Sequence, residues 1–133
     1  VTVRGGRRAT GALGESIAAA HLESRGCDVI ARNWRPPRGS HVRGEIDIVA
    51  RCGARLLFVE VRTRHGAQFG EPEESLTPRK YAAMIAAVDA YLIHELSDAA
   101  RDACDWRIDL IAVRLDAAGI VQRLAHIEGV GSL

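Results

Sequence analysis

Aromatic side chains make up only 5% of the 133 residues, two each of Trp, Tyr and Phe. With so few rings, Trp34 and Trp106 read first as packing residues rather than as platforms for bases. Cysteine is scarce as well. Cys27, Cys52 and Cys104 are far apart, odd in number and without a C-x-x-C spacing. That argues against a disulfide framework and against a zinc site, and the three read as reduced thiols in a cytoplasmic protein. No apolar run approaches the roughly 18 residues of a membrane span. The segment Val1 to Gly6 lacks the apolar stretch of a secretory leader, so neither export nor a membrane partner is expected. There is no G-x-S-x-G, no Walker loop and no G-x-G-x-x-G, which disfavours nucleoside triphosphate and dinucleotide cofactors. His21, His41, His65, His94 and His126 form no H-x-x-x-H or H-E-x-x-H pair, so a zinc hydrolase is disfavoured too. Lysine is nearly missing: of 18 Lys and Arg residues, Lys80 alone is lysine.

What remains is ordinary globular material, 47% hydrophobic and 26% charged, at a length that suits one domain. We divide it into a basic N-terminal arm over residues 1–10 and a single domain over 11–133. The net charge of +1 says little about partners, but its distribution says more. Arg4, Arg7 and Arg8 open the chain, and Arg32, Arg35, Arg38 and Arg43 flank a Pro/Gly loop. Such clusters either contact phosphate or form a solvated basic surface, and charge alone does not separate the two. An Ala-rich amphipathic pattern predicts a helix over 11–24, stopped by Gly26. A short strand over 27–33 and a loop with Pro36, Pro37, Gly39 and Ser40 follow. Strands over 45–51 and 55–64 meet at Gly53-Ala54, a sequence suited to a type II′ hairpin. Thr77-Pro78 reads as an N-cap with proline at the first helical position, and Tyr81, Ile85, Val88 and Leu92 carry that helix to about residue 96. Strands over 106–115 and 120–127 close the chain around the turn at 116–119. The order α-β-β-β-α-β-β predicts an α/β fold, a mixed sheet flanked by helices.

The hairpin carries the chemistry. In a two-residue hairpin turning at Gly53-Ala54, paired residue numbers have a constant sum. Asp47 is then expected opposite Glu60, Glu45 opposite Arg62 and Val49 opposite Phe58, all on one face. Ile46, Ile48 and Ala50 are expected on the other, with Leu57, Val59 and Val61. Both faces are mainly apolar, as in an interior strand pair. Two facing carboxylates there repel each other and need compensation. A divalent cation with hard oxygen ligands supplies it, Mg²⁺ or Mn²⁺. The ordinary alternative is a salt bridge from Glu60 to Arg62 or Arg51, with Asp47 at a solvated strand end. Glu15, on the apolar face of the first helix, is either a third metal-site group or a first-turn glutamate favoured by the helix dipole. Lys80, beside Arg79 at a helix N-terminus, is either a phosphate contact or an exposed lysine.

Five segments together resemble a known family: Gly14-Glu15-Ser16-Ile17-Ala18, Arg32-Asn33-Trp34-Arg35, Gly44 to Ala50 (GEIDIVA), Phe58 to Arg64 (FVEVRTR) and Phe69 to Glu73 (FGEPE). Over about residues 7–127 the chain resembles the YraN-like family of small bacterial predicted nucleases, and more distantly archaeal Holliday-junction resolvases. The resemblance implies a restriction-endonuclease-like fold with the PD-(D/E)XK arrangement. It assigns Asp47 and Glu60 to the metal with the Val61 carbonyl, Glu15 as the helix-borne acid and Lys80 as the lysine opening the second helix. Arg62 stands where the motif has lysine; it can clamp a phosphate but effectively cannot lose a proton. The loop over 36–42 looks longer than usual for the family.

The implied function is Mg²⁺- or Mn²⁺-dependent hydrolysis of phosphodiester bonds in DNA, branched or structured DNA included. The catalytic set is Glu15, Asp47, Glu60, Arg62 and Lys80, and the backbone contacts are Arg7, Arg8, Arg35, Arg43, Arg64 and Lys80. A symmetric homodimer would suit a two-stranded substrate. The competing reading is a nucleic-acid-binding module that kept the fold and lost the chemistry, which Arg62 favours. A third is a structural protein whose carboxylates serve only in ion pairs.

Overall fold

An 18-residue helix, α1 (Arg7–Ser24), opens the described part of the chain. The computed structural model describes residues 7–66 and 76–130, with side chains from Ala9 onward. Arg and Ala are good helix formers continuous with the Ala-rich run, so the helix begins four residues before the predicted residue 11. The basic arm over 1–10 is corrected accordingly: Arg7 and Arg8 are helical, and residues 1–6 lie outside the described residues. Gly26 ends the helix at φ +85. Cys27 N–H donates to the Leu22 carbonyl and Gly26 N–H to that of Glu23, the paired bonds of a Schellman cap.

Five strands form one sheet in the order β1 (Asp28–Trp34), β2 (Ile46–Cys52), β3 (Arg55–His65), β4 (Asp105–Leu115), β5 (Val121–Ile127). Only the β3–β4 pairing is parallel. The crossover between those two strands carries α2 (Pro78–Glu95) and a short α3 (Asp98–Asp102). The latter was unforeseen in the polar link; Ser97 caps it through the Ala100 N–H. Thr77 caps α2 as predicted, accepting from the Lys80 N–H at 3.1 Å, with Pro78 in the first turn. The mixed α/β order is thus the expected one with one extra helical turn. Among the described residues no helix is long and apolar enough to cross a membrane.

The two helices cover opposite faces. Ala18, Ala19 and Leu22 of α1 bury against Ile48, Ala50, Leu57, Val59, Ile111 and Val113. Met84, Ala87, Val88 and Tyr91 of α2 bury against Ile46, Val49, Leu56, Phe58 and Ile108. Fully burying a side chain such as Phe58 contributes about 1.5–3 kcal/mol. Its ring meets Tyr91 and Trp106 edge-on, and Trp34 meets Tyr91, so both tryptophans pack as expected.

Cys27 and Cys52 form a disulfide, which corrects their reading as free thiols; Cys104 is free. Pairing explains it. Asp28 lies opposite Arg51 in the β1–β2 ladder, so the next residues outward face each other, with Cα atoms 4.4 Å apart. Spacing along the chain does not reveal this. The inference of a reducing compartment rested on those thiols and no longer follows.

A buried ionic cluster ties β4 to β5 and to the end of α1. Asp109, wholly buried, accepts from Arg107 Nε and Nη2 at 2.7 and 3.0 Å and from Gly129 N–H at 3.0 Å. His126 Nε2 lies 2.7 Å from it, and His126 Nδ1 lies 3.1 Å from His21 Nε2. These partners outweigh the cost of burial and hold the Asp109 carboxyl below its ordinary value.

Candidate metal centre

The β2–β3 hairpin has the predicted register near its turn. Cys52 pairs with Arg55, Val49 with Phe58 and Ile48 with Val59, and Gly53 sits at φ +64. Beyond Ile48 the prediction fails. The ladder stops there, and Ile46 turns to the α2 side of the sheet while Ile48 and Ala50 stay on the α1 side. The break falls at Asp47. Its Oδ2 accepts the Val61 N–H at 2.8 Å, so a carboxylate takes the place of a ladder carbonyl. Asp47 is therefore no cross-strand partner of Glu60 in the regular sense, although Glu60 stands close enough to push its carboxyl up. Val61 meets the site through its N–H.

The adjoining strand breaks its alternation too. Asn33 has φ +52, a left-handed conformation that Asn tolerates better than most residues. The reversal sends Trp34 into the α2-side core, and the Asn33 side chain stands near Glu15, where it opposes the upward push of burial on that carboxyl. Gly14 brings that glutamate over the sheet. A Cβ at position 14 would overlap Thr63 Oγ1 and come within 2.9 Å of Thr63 Cβ, so only glycine lets α1 approach β3 this closely.

The result is a convergence of acids. Carboxylate oxygens of Glu15, Glu45 and Asp47 all lie within 4.8 Å of one another, each residue half-buried. Burial first, then the neighbouring Glu60 carboxyl, push Asp47 up to about 8, against the pull of the Val61 N–H. The Glu15 carboxyl is also raised, chiefly by burial, with the charges of Glu45 and Glu60 adding to it. Glu60, 6% exposed, stands beside this trio. Its Oε2 is 3.2 Å from Lys80 Nζ but lacks an aligned hydrogen bond.

The cations divide unevenly. Lys80, not Arg62 or Arg51, pairs with Glu60. Arg35 donates from Nε at 2.9 Å to Glu45 Oε2, with Nη2 at 2.8 Å, so Glu45 is paired with Arg35 and not with Arg62. Arg62 Nε is buried without a hydrogen-bond partner among the described residues, and Arg64 Nη1 donates to the Thr63 carbonyl at 3.1 Å. Arg35, Arg43, Glu45 and Lys80 together line an open cleft of about 520 Å³ with Pro36, Val42 and Gly44. The side chains of Arg7 and Arg8 and the segment 69–73 lie outside the described residues.

Of the predicted residues, Glu15, Asp47, Glu60 and Lys80 are therefore brought together, and Arg35 and Arg43 border them. Glu45 was missed as a candidate ligand. The signal was its place two residues before Asp47 at the strand end, where an alternating strand keeps both carboxylates on one side.

Comparison with known proteins follows the same stretch. A family model described as "Uncharacterised protein family UPF0102" matches residues 14–113. A UPF0102 protein of Acidothermus cellulolyticus is 42% identical over 88% of this chain and 84% of its own length. One of Beutenbergia cavernae is 42% identical over 92% of this chain and 96% of its own. One of Deinococcus radiodurans is 41% identical over 90% and 91%.

Proposed function

The chain belongs to the UPF0102 family, and we propose that it is a divalent-metal-dependent nuclease acting on DNA, with a restriction-endonuclease-like core. The observation that carries this reading is the convergence of Glu15, Glu45 and Asp47 at the border of a cleft lined by Arg35, Arg43 and Lys80. Hard carboxylate oxygens suit Mg²⁺ or Mn²⁺. The fit is supported by two features of the site itself. Asp47 is held protonated by burial and by Glu60, a cost that a cation would remove. Glu60 Oε2 is buried with the Lys80 ammonium at 3.2 Å and no aligned hydrogen bond, so a single lysine stands against this carboxylate and the trio beside it.

Glu15, Glu45 and Asp47 would hold the ion, with Glu60 linked to them through Asp47. When bound, it would offset charge developing on the phosphate and make a bound water more acidic. The Val61 N–H fixes the Asp47 carboxylate, and Asn33 stands near Glu15. Lys80 is the lysine that the fold sets beside the acids, its ammonium 3.2 Å from Glu60. That relocates the role expected of the residue at Arg62 and weakens the case that arginine there abolishes chemistry. Arg35 and Arg43 supply guanidinium donors to the phosphate backbone along the cleft.

The test is Mg²⁺- and Mn²⁺-dependent cleavage of labelled single-stranded, duplex and four-way-junction DNA, with Asp47→Ala and Lys80→Ala beside wild type. Cleavage by wild type that falls at least about 100-fold in Asp47→Ala supports the proposal. Salt-dependent binding without cleavage by either protein favours a binding module on this fold instead. Sedimentation of the same samples reports whether the protein acts as a dimer.

A further inference from the structure

Beside the cationic cleft lies a second groove that the proposed chemistry does not use. It is an open space of about 580 Å³ between the 37–42 loop and α2, with Pro37, Val42, Ala86, Ala90 and Ile93 as its apolar lining and Arg38, Ser40, His41, Asp89 and His94 as its polar one. Val42 lines both spaces. Gly44 lies 3.8 Å from the Ala83 carbonyl and from Ala87 Cβ, measured from where its own Cβ would be, so the segment between cleft and groove rests on α2. Ile93 is 58% exposed, a large aliphatic side chain left uncovered where the rest of that helix face is polar or small.

We infer that this groove receives an unpaired nucleobase of the strand whose phosphate occupies the Arg35–Arg43–Lys80 cleft, so that the substrate class is DNA with a single-stranded stretch. The inference rests on the nuclease reading for the direction of the strand, and on three observations for the base. An occupant with apolar faces can use Pro37, Ala86, Ala90 and Ile93, and one with a polar edge can meet Arg38 and Asp89. Attachment to an anion suits it, because the adjoining cleft sets Arg35, Arg43 and Lys80 against one acid, Glu45. A nucleotide combines these features. Imidazole rings at His41 and His94 offer stacking partners with polar edges.

Distance along α2 agrees. At 1.5 Å per residue, Ala86 lies about 9 Å and Ile93 about 20 Å beyond Lys80 along the helix axis. The groove thus begins within the reach of a neighbouring nucleotide and continues for a short run of them. A base in duplex DNA has both faces covered by its neighbours and cannot enter. An unpaired one enters without first breaking hydrogen bonds to a partner strand.

Fluorescence anisotropy in EDTA, where metal-dependent cleavage is suppressed, tests the inference on the full chain. The probes are a labelled single strand, the same sequence as a blunt duplex, and that duplex interrupted by a short unpaired gap. Wild type is expected to bind the single-stranded and gapped probes about ten-fold more tightly than the blunt duplex, the scale of one stacked base. The uncharged Ile93→Ser should reduce that preference to near unity and leave duplex affinity unchanged, whereas Ile93→Glu should remove the preference and also weaken all three probes through its added charge. Because Ile93 is exposed, both should fold, and melting curves confirm it. Equal affinity of wild type for all three probes overturns the inference, as does an undiminished preference in Ile93→Ser. Cleavage measured separately distinguishes the two failures. Metal-dependent cutting without strand preference sinks the groove alone, whereas preference without cutting keeps the groove and sinks the nuclease.

Discussion

Replacing Asp47 with Asn should make the metal-free protein more stable at neutral pH, against the usual direction for a half-buried polar residue. The carboxyl is raised from 3.8 to about 8, so folded protein keeps a proton that unfolded chain releases between those values. The unfolded state is therefore favoured progressively as pH rises through that window, and stability falls with it. Integrated from 3.8 to pH 7, the difference has a ceiling of about 4 kcal/mol. Asn is the appropriate replacement because its carbonyl can still accept the Val61 N–H, the 2.8 Å bond that fixes the strand end. With residual amide burial set against the gain, we expect about 2 kcal/mol, or roughly 8 °C in Tm for a domain of this size. Urea unfolding of wild type and Asp47→Asn in EDTA from pH 5 to pH 8 measures it. Wild type should lose stability across that range more steeply than the variant, and Mn²⁺ should restore wild type while leaving Asp47→Asn nearly unmoved. A variant that melts at or below wild type at pH 7.5, with the same pH slope, would falsify the account of a carboxyl held protonated by burial and by Glu60.

Three further outcomes are expected. Gly14→Ala should cost about 1–3 kcal/mol, since the added methyl meets Thr63, and a double-mutant cycle with Thr63→Ala should show positive coupling; strict additivity refutes the contact. Reduction of Cys27–Cys52, or the Cys27→Ala/Cys52→Ala double variant, should lower unfolding free energy by about 3 kcal/mol for a separation of 25 residues; a loss under about 1 kcal/mol in urea titrations refutes it. Asp109→Asn should cost about 3 kcal/mol by leaving His126 without its anion and Arg107 with only the more distant Glu128. Because the folded Asp109 carboxyl sits below 3.8, its contribution is present above that value and disappears as pH falls through the folded one, so the variant should show a shallower stability slope in acid.

Local signals placed most of the secondary structure because each rests on a short-range cause. Thr77-Pro78 caps α2 whatever packs against it, Gly53 sets the hairpin turn, and the register near that turn follows from counting. What counting cannot supply is the pairing of β1 with β2. The Cys27–Cys52 bond depends on that pairing, as does the extra residue between Val29 and Ala31 where the register shifts. The helical state of Arg7 and Arg8 was hidden for a different reason: two adjacent arginines are equally at home in an arm and in a first turn, and only continuity with the Ala-rich segment decides between them.

The site was legible as a set of residues and illegible as a geometry, and the two have one explanation. An ideal hairpin puts Asp47 opposite Glu60 and Glu45 opposite Arg62, giving three acids and a cation in a regular ladder. In the fold the ladder ends at Ile48, Asp47 takes the Val61 N–H, and Ile46 crosses to the other core. That break lets Glu45 converge with Asp47 and Glu15 while Arg35 holds it from the cleft side. Asn33 repeats the device one strand away, its left-handed backbone placing a side chain of β1 near Glu15. A regular sheet would hold these carboxylates at the fixed spacing of paired strands. Two adjacent irregularities and a glycine at the helix contact bring them close enough to share one ion. The sequence motifs G-E, R-N-W and G-E-I-D are thus three parts of one departure from regular structure, and their spacing has meaning only after the strands are paired.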